Sequence, residues 1–402
     1  MSRGLGDVYK RQSIYYYPEI GAAPSRITNL VEALQAKGNQ VDVLTSLPNY
    51  PKGKLFDGYR NCLYMSETIS NCHVYRYWMY ATVSKKPLLR AWSILSFALM
   101  IWGFAFHFRR IRRYDRIIIQ CPPLPVATSA MLIFKCLYRR TTIINVSDLW
   151  PLSAVELGAM RKNSLSYKLF AWMERFVYKK ADGIMAQSNE SIRHISMFSE
   201  QTPKFLYRNL QKYKTAMGKR RSKGNLKVVY AGLLGVAQNL LEIIQVIDFK
   251  NIGVELHLYG GGNQANVIKQ YIDTHNTNVF YHGVAPKSEM ENILRSYDAS
   301  LIPLTVHIKG AVPSKLFDII PLGIPVLFCG GGEGAEIVRN YQLGYVSEPR
   351  DYLSLEENLI KLSKMPPEQY ISLTENCCHV AQEHFNFDEQ MTRFTSFLNK
   401  FN

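Results

Sequence analysis

The chain has 402 residues, 47% hydrophobic and 20% charged, which is enough for two domains with ample cores and too apolar for a disordered segment. Its formal net charge of +16 calls for an anionic partner. No nucleic-acid-binding motif accompanies that charge and the basic runs flank apolar segments, so an anionic membrane surface is expected and nucleic acid is not. Seven cysteines form no CxxC pair and no cysteine–histidine ligand cluster; they read as reduced, mostly buried thiols of a cytosolic protein with no metal site. No cleavable signal peptide is legible.

In chain order, "MSRGLGDVYKRQ" (1–12) is polar, contains glycine and fits neither strand nor helix. Yet the "SIYYYPEIG" that follows reads as the end of a first strand and its loop. The first twelve residues are therefore expected to be a foreign segment that damages the first strand, and not to pair beside "QVDVLT"; a disordered native tail is the alternative. From Ser13 onward, short β-rich runs alternate with helical patterns, the mark of parallel βαβ units. Strands are predicted at 40–45, 115–120, 141–148 and 183–188, then at 226–232, 254–260, 278–283, 299–304 and 324–329. The stretch 25–38 reads as a helix, with Ile27, Leu30, Val31 and Leu34 on one face and Gly38 as its stop. A basic linker at 209–225 would separate a Rossmann-like domain at 13–208 from another at 226–402, whose last helix could pack back on the first. Two doubly wound domains facing a cleft place ligands at the carboxyl ends of the strands.

Residues 91–108, "AWSILSFALMIWGFAFHF", carry no acid, lysine or arginine. Lys85, Lys86 and Arg90 precede them; Arg109, Arg110, Arg112 and Arg113 follow. A true span would divide one sheet across the bilayer, so the choice is between a buried helix and an interfacial one whose arginines meet head groups. The basic flanks favour the second.

Four strand-end loops carry small or polar residues. In "YYPEIGAAPSR" (16–26), Gly21 and Ala22 allow close backbone approach before a helix; a plain turn reads equally well. In "NVSDLWPLSAVELG" (145–158), Asp148 suits sugar hydroxyls beside Trp150, or caps a helix. "YAGLLGVAQNLLEII" (230–244) offers Gly232 and Gln238 with the wrong glycine spacing for a dinucleotide fingerprint, and "LYGGGNQ" (258–264) offers Gly260. In "VPSKLFDIIPLGIPVLFCGGGEGAEIV" (312–338), Ser314 and Lys315 could meet a phosphate. Asp318, one turn along, could accept the ribose hydroxyls. An exposed, inconsequential Lys–Asp pair is the bland alternative.

Taken together, "YYPEIGAAPSR", "DLWPLSAVELG", "YAGLLGVAQNL" and "VPSKLFDIIPLGIPV" resemble, in order and over nearly the whole chain from Ser13, the family 4 retaining glycosyltransferases of the GT-B fold. The branch they resemble most is the WbuB-like and colanic-acid type that builds O-antigen and capsule. The resemblance implies transfer of a sugar, hexosyl or N-acetylhexosaminyl, from a nucleotide diphosphate (UDP-linked is expected) to a polyprenyl-diphosphate-linked glycan. Retention of configuration, no metal, and a peripheral place on the inner face of the cytoplasmic membrane are implied with it. It places Gly21 and Ala22 near the donor phosphates, Asp148 near the transferred sugar or acceptor, and Gly232 and Gln238 at the diphosphate. His282 and Gly283 fall near the base, Lys315 at the phosphate or sugar, and Asp318 on the ribose. The chain departs from the family at Gly310, where a first glutamate is usual, at Asp318, one methylene short, at Ser147, and at Leu233 and Gln238, which replace an arginine and a lysine. A nucleotide-sugar epimerase of the same architecture and a non-catalytic sugar-nucleotide-binding subunit are the rival readings.

Overall fold

The computed structural model describes residues 8–19, 21–84, 86–107, 111–212, 216, 218–286 and 288–401. The chain up to Arg208, together with the residues from Met391 on, forms one compact unit, and Asn209–Gln390 forms a second.

In the first unit an eight-stranded sheet runs in the order β3-β4-β2-β1-β5-β6-β7-β8. The strands are β1 (Val8–Gln12), β2 (Gln40–Ser46), β3 (Tyr64–Ile69), β4 (Cys72–Tyr77), β5 (Arg116–Cys121), β6 (Thr141–Val146), β7 (Gly183–Ala186) and β8 (Lys204–Leu206). All pairings are parallel except β3 with β4. The expectation that residues 1–12 would not pair as a strand is corrected for Val8–Gln12; residues 1–7 lie outside the described residues. Val8 opposes Gln40 and Gln12 opposes Leu44, while Tyr9–Gln12 also pair with Arg116–Ile119 of β5. The backbone between two strong parallel strands finds its hydrogen bonds whatever side chains it carries, which overrides weak local propensity. Those side chains are nevertheless buried: Lys10, Arg11 and Gln12 are each at most 1% exposed. Lys10 lies over the rings of Phe104 and Tyr75, 3.6 and 4.0 Å from their centroids. Arg11 donates from Nη2 to Gln120 Oε1 at 2.8 Å, but its Nε and Nη1 and both amide atoms of Gln12 have no partner among the described residues.

Helix α1 (Ala22–Ala36) buries Ile27, Leu30, Val31 and Leu34, the i, i+3, i+4, i+7 face of its sequence. The crossover from β4 to β5 is α2 (Pro87–Met100), which runs on as a 3-10 turn over Ile101–Phe106. By length and composition Pro87–Phe106 is long and apolar enough to cross a membrane. It does not divide the sheet, because β4 before it and β5 after it are strands of the same parallel array. It packs instead beside α3 (Leu124–Met131), which in turn packs beside α5 (Leu165–Lys180); the short α4 (Leu152–Glu156) lies between these two in sequence. Phe97, Ile101 and Phe104 of the first, Ala127 and Met131 of the second, and Val177 and Tyr178 of the third share one core with Ile117, Ile119 and Ile144 of the sheet. Near the carboxyl end of the chain, Phe394 and Phe397 pack on Phe205 with centroids 5.3 and 5.4 Å apart.

The second unit is a six-stranded parallel sheet in the order β11-β10-β9-β12-β13-β14. These are β9 (Leu226–Ala231), β10 (Val254–Tyr259), β11 (Val279–Gly283), β12 (Ala299–Pro303), β13 (Val326–Cys329) and β14 (Gly344–Ser347). One face packs around Leu226, Val228, Leu256 and Leu258, the other around Val229, Ile302, Phe317 and Phe328. The segment 209–225 lies within this unit. Ser222 and Lys227 donate their backbone N–H groups to the two oxygens of Asp298 at 2.8 and 2.9 Å. Lys219 donates its own to Thr374 Oγ1 at 3.0 Å.

Candidate active site

In the second unit the strand order reverses at β9, which has β10 on one side and β12 on the other. The crevice at the carboxyl ends of such strands is where open α/β sheets bind ligands. A cavity of about 250 Å³ opens there, walled by Leu233 and Gln238 from the loop after β9 and by Leu304, His307, Ser314 and Lys315 from the chain after β12. Thr305 staples the two loops, donating from N and Oγ1 to Ala237 O at 2.9 and 3.1 Å.

Lys315 opens a short helix, Lys315–Ile319. Its Nζ lies 3.8 Å from the centroid of the Tyr230 ring, whose hydroxyl is held by Leu233 O at 2.6 Å. Burial pushes the ammonium down to about 7, and Asp318 pulls it back up. A half-buried ammonium over an aromatic ring, with a cavity in front and burial outweighing the pull of Asp318, is stabilised by an anion that enters the cavity. Gly232 makes room for it: a Cβ there would lie 2.3 Å from Lys315 Cε and Nζ, and its φ of 149° disfavours a side chain. Gly232→Ala is therefore expected to displace the ammonium and weaken UDP binding roughly tenfold, about 1.4 kcal/mol, as read by titration calorimetry. An unchanged affinity would show that Lys315 does not reach the ligand.

The next strand end locks against this one. A Cβ on Gly260 would sit 1.8 Å from Gly232 O, and one on Gly262 2.2 Å from Leu234 O. Gly232 N donates to Tyr259 O at 2.8 Å, and Gly260 N to Gly283 O at 2.7 Å. Gly232, Gly260 and Gly283 thus end three adjacent strands in one hydrogen-bonded series. Gln238 Oε1 is buried with no partner among the described residues. His282 lies further along: it stacks on Tyr259 at 4.5 Å, its Nε2 is 2.9 Å from His257 Nδ1, and burial lowers its pKa. Of the expected donor residues of this unit, Gln238, Ser314 and Lys315 line the cavity, whereas Gly232, Gly260, His282, Gly283 and Asp318 do not. Gly310, where the family's first glutamate would fall, has φ +81°. The loop is built on a left-handed backbone that a glutamate would hold only under strain.

In the first unit the loop after β1 is fixed by the buried Glu19, whose carboxylate accepts N–H bonds from Tyr16 at 3.2 Å and from Asn49 and Tyr50 at 2.9 Å each. Gly21, with φ +154°, precedes α1; a Cβ there would come within 3.0 Å of the Tyr50 ring. The side chain of Ala22 is outside the described residues. Asp148 is exposed after β6, at the end of a polar relay. Arg11 Nη2 and Asn145 Nδ2 donate to Gln120 Oε1, Gln120 Nε2 donates to Ser147 Oγ at 3.1 Å, and Ser147 Oγ donates to Asp148 Oδ2 at 3.3 Å. Arg26, near the start of α1, has its pKa lowered by burial and raised by Asp148. The aspartate therefore faces a guanidinium that sequence reading missed; Arg26 stands within the quoted "YYPEIGAAPSR" loop.

Along Pro87–Phe106, one long face stays in water: Leu88 and Phe106 are each 84% exposed, Leu99 62% and Trp92 49%. Arg112 and Arg113 are exposed just beyond it; Arg109 and Arg110 lie outside the described residues. Helix α5 adds a second exposed apolar row, Leu165, Leu169 and Trp172, at the i, i+4, i+7 positions of one face. Among the described residues no group of three or more His, Cys, Asp or Glu is placed to hold a metal ion.

A family model described as "Glycosyl transferase 4-like domain" matches residues 21–198, and one described as "Glycosyl transferases group 1" matches residues 214–377. The chain is a GT-B glycosyltransferase. It is 22% identical over 396 residues to the "Uncharacterized glycosyltransferase MJ1069" of Methanocaldococcus jannaschii, covering 94% of this chain and 95% of that one. Among solved structures, the glycosyltransferase is similar in fold to sucrose-phosphate synthase from Thermosynechococcus elongatus, at TM-score 0.71, 13% identity and 98% coverage of both chains. It is similar also to "WaaG, a glycosyltransferase involved in lipopolysaccharide biosynthesis", at TM-score 0.64 and 13% identity, covering 96% of this chain and 98% of that one. The cavity walled by Gln238, Ser314 and Lys315 lies within the stretch that the group 1 model matches.

Proposed function

We propose that the enzyme moves a sugar, hexosyl or N-acetylhexosaminyl, from a UDP-linked donor to a polyprenyl-diphosphate-linked glycan with retention of configuration. This reading assigns it to surface-polysaccharide assembly of the O-antigen or capsule kind, on the inner face of the cytoplasmic membrane. The observation that carries the donor half is the Lys315 ammonium, short of counter-charge beside a cavity at the β9/β12 reversal. As the sugar–phosphate bond breaks, charge gathers on the leaving diphosphate, and a fixed cation together with backbone N–H groups stabilises it without a metal. The lipid-linked half rests on the exposed apolar faces of Pro87–Phe106 and Leu165–Lys180 beside basic residues, and on the similarity to WaaG.

Titration of UDP, GDP and their sugars, followed by a release assay with a polyprenyl-diphosphate sugar, tests the reading. UDP binding with acceptor-dependent release supports it. Binding without turnover would return the chain to a sugar-nucleotide-binding subunit, and interconversion of the donor without acceptor to an epimerase. For the membrane, each Lys or Arg near an anionic surface contributes about 1 kcal/mol. The protein should sediment with anionic vesicles, less so as salt rises. Replacing Arg109, Arg110, Arg112 and Arg113 with glutamine should release it with donor affinity unchanged. Sedimentation equal to the parent's would make the helix a core element only.

A further inference from the structure

A cavity of about 680 Å³ opens in the first unit, at the outer edge of its sheet. It lies beyond the carboxyl end of β4. Gly53, Lys54, Arg60, Asn61 and Leu63 wall it from the chain between β2 and β3, and Trp78 walls it just after β4. From β4 to β6, which leads into Asp148, the sheet crosses β2, β1 and β5. Four strand spacings put the two roughly 19 Å apart. The cavity is too far from Asp148 to hold a sugar that reacts there.

Its walls are set by the fold. Gly53 N donates to Asn49 O at 2.7 Å, and Trp78 N to Leu63 O at 2.9 Å. With φ +62°, Gly53 lies directly on the chain after β4: a Cβ there would come 2.6 Å from Val83 N. Behind the loop, Tyr59 Oη donates to Glu67 Oε2 at 3.1 Å. The buried Arg76 donates to the same carboxylate and, from Nη1, to Ser46 O at 3.3 Å.

The wall is rich in donors. The side chains of Lys54, Asn61 and Trp78 have no hydrogen-bond partner among the described residues. Arg60 pairs with Asp57 at 2.9 Å, but both are exposed, so that pair holds the guanidinium only weakly. Among the described residues no acid lines the cavity. Two cations without an acid select an anion, and they hold a carboxylate by charge-assisted hydrogen bonds. The indole adds a flat apolar face for the C–H side of a pyranose and an N–H for its hydroxyls. No helix begins at this wall to take a phosphate. An acidic sugar satisfies all of these groups together.

We propose that this cavity is a second carbohydrate site, which holds a carboxylated sugar unit of the glycan well away from the point of transfer. The assignment rests on the surface-glycan substrate proposed above, and adds that this glycan is acidic. Trigalacturonate and a hyaluronan tetrasaccharide are each titrated into the full chain without nucleotide. The parent should bind at least one of them, and the methyl ester of that one at least tenfold more weakly. Lys54→Gln combined with Arg60→Gln should weaken binding at least tenfold, and so should Trp78→Ala, with Trp78→Tyr falling between. In the Lys54/Arg60 variant the melting temperature, UDP affinity and sedimentation with phosphatidylglycerol vesicles should match the parent's. Saturating UDP should leave the oligosaccharide affinity unchanged. Binding of neither oligosaccharide, equal binding of acid and ester, or full affinity in the Lys54/Arg60 variant overturns the proposal. Displacement by UDP does so too, because it makes the cavity a nucleotide site. Loss of vesicle binding in the variant makes these cations head-group contacts, with the same result. Failure of the donor reading appears separately, as absent UDP binding, and does not touch a titration that needs no nucleotide.

Discussion

Lys315→Ala is expected to weaken UDP binding by roughly ten- to a hundredfold, the scale of one or two hydrogen bonds to a charged group. The loss should come with a changed pH profile. In the free protein Lys315 titrates at about 7 against an ordinary 10.5, so above neutrality it is largely uncharged. A diphosphate favours the ammonium, so binding between pH 7 and 9 should take up a proton, and affinity should fall as pH rises through that window. In the alanine variant the proton uptake and the slope should both vanish. For folding the sign follows from the same shift. The unfolded chain holds its proton up to about 10.5 and the folded one only to about 7, so the cost of burying this ammonium is full below 7 and lifts as pH rises between these values. Calorimetry in two buffers of different ionisation heat measures the proton directly; equal affinity and equal slope in parent and variant would remove Lys315 from the donor site.

The second large effect concerns β1. Arg11 is fully enclosed, burial together with nearby Arg26 drives its pKa down to about 9 despite the opposing pull of Tyr207, and two of its nitrogens have no partner among the described residues. Arg11→Val with Gln12→Val removes that desolvation. Gln120 Oε1 keeps the bond from Asn145 Nδ2 at 3.0 Å, so the substitution orphans no acceptor there. Replacing buried charge with well-packed apolar groups is worth roughly 1–4 kcal/mol, enough to raise the melting temperature of the full chain by several degrees. The parent should also gain stability as pH rises above about 9, because there the unfolded arginine still holds the proton the folded one releases. A melting temperature that stays the same or falls in the double variant would mean that Arg11 is compensated by its surroundings.

Much of this architecture is legible in the residues themselves. Apolar runs such as "DRIIIQ" and "TTIINVSD" become β5 and β6, nearly fully buried between parallel neighbours, because a strand covered on both faces carries its signature in composition alone. Val8–Gln12 has no such signature and is a strand through its neighbours, which is information that sits elsewhere in the chain. The β3–β4 hairpin was missed for a related reason: Tyr64–Ile69 is exposed or half-buried throughout, so no apolar run marks it. Lys315 stood out by its place before Pro-Leu-Gly, but its Tyr230 and Gly232 surroundings come from 83 or more positions earlier and exist only in the fold. Arg26 was passed over because a single arginine in a turn has no periodic signal.

The glycine series at the ends of β9, β10 and β11 also limits how the proposed donor cavity can be reshaped. With Gly260 and Gly262 pressed against the carbonyls of Gly232 and Leu234, neither loop can be lengthened, shortened or given a side chain there without moving the other. Backbone remodelling is closed as a route to new specificity. Latitude remains at Leu233 and Val306, which line the cavity and are 64% and 41% exposed, so they can change size and polarity without unlocking the loops. A library confined to those two positions would explore donor preference on a scaffold that holds its shape.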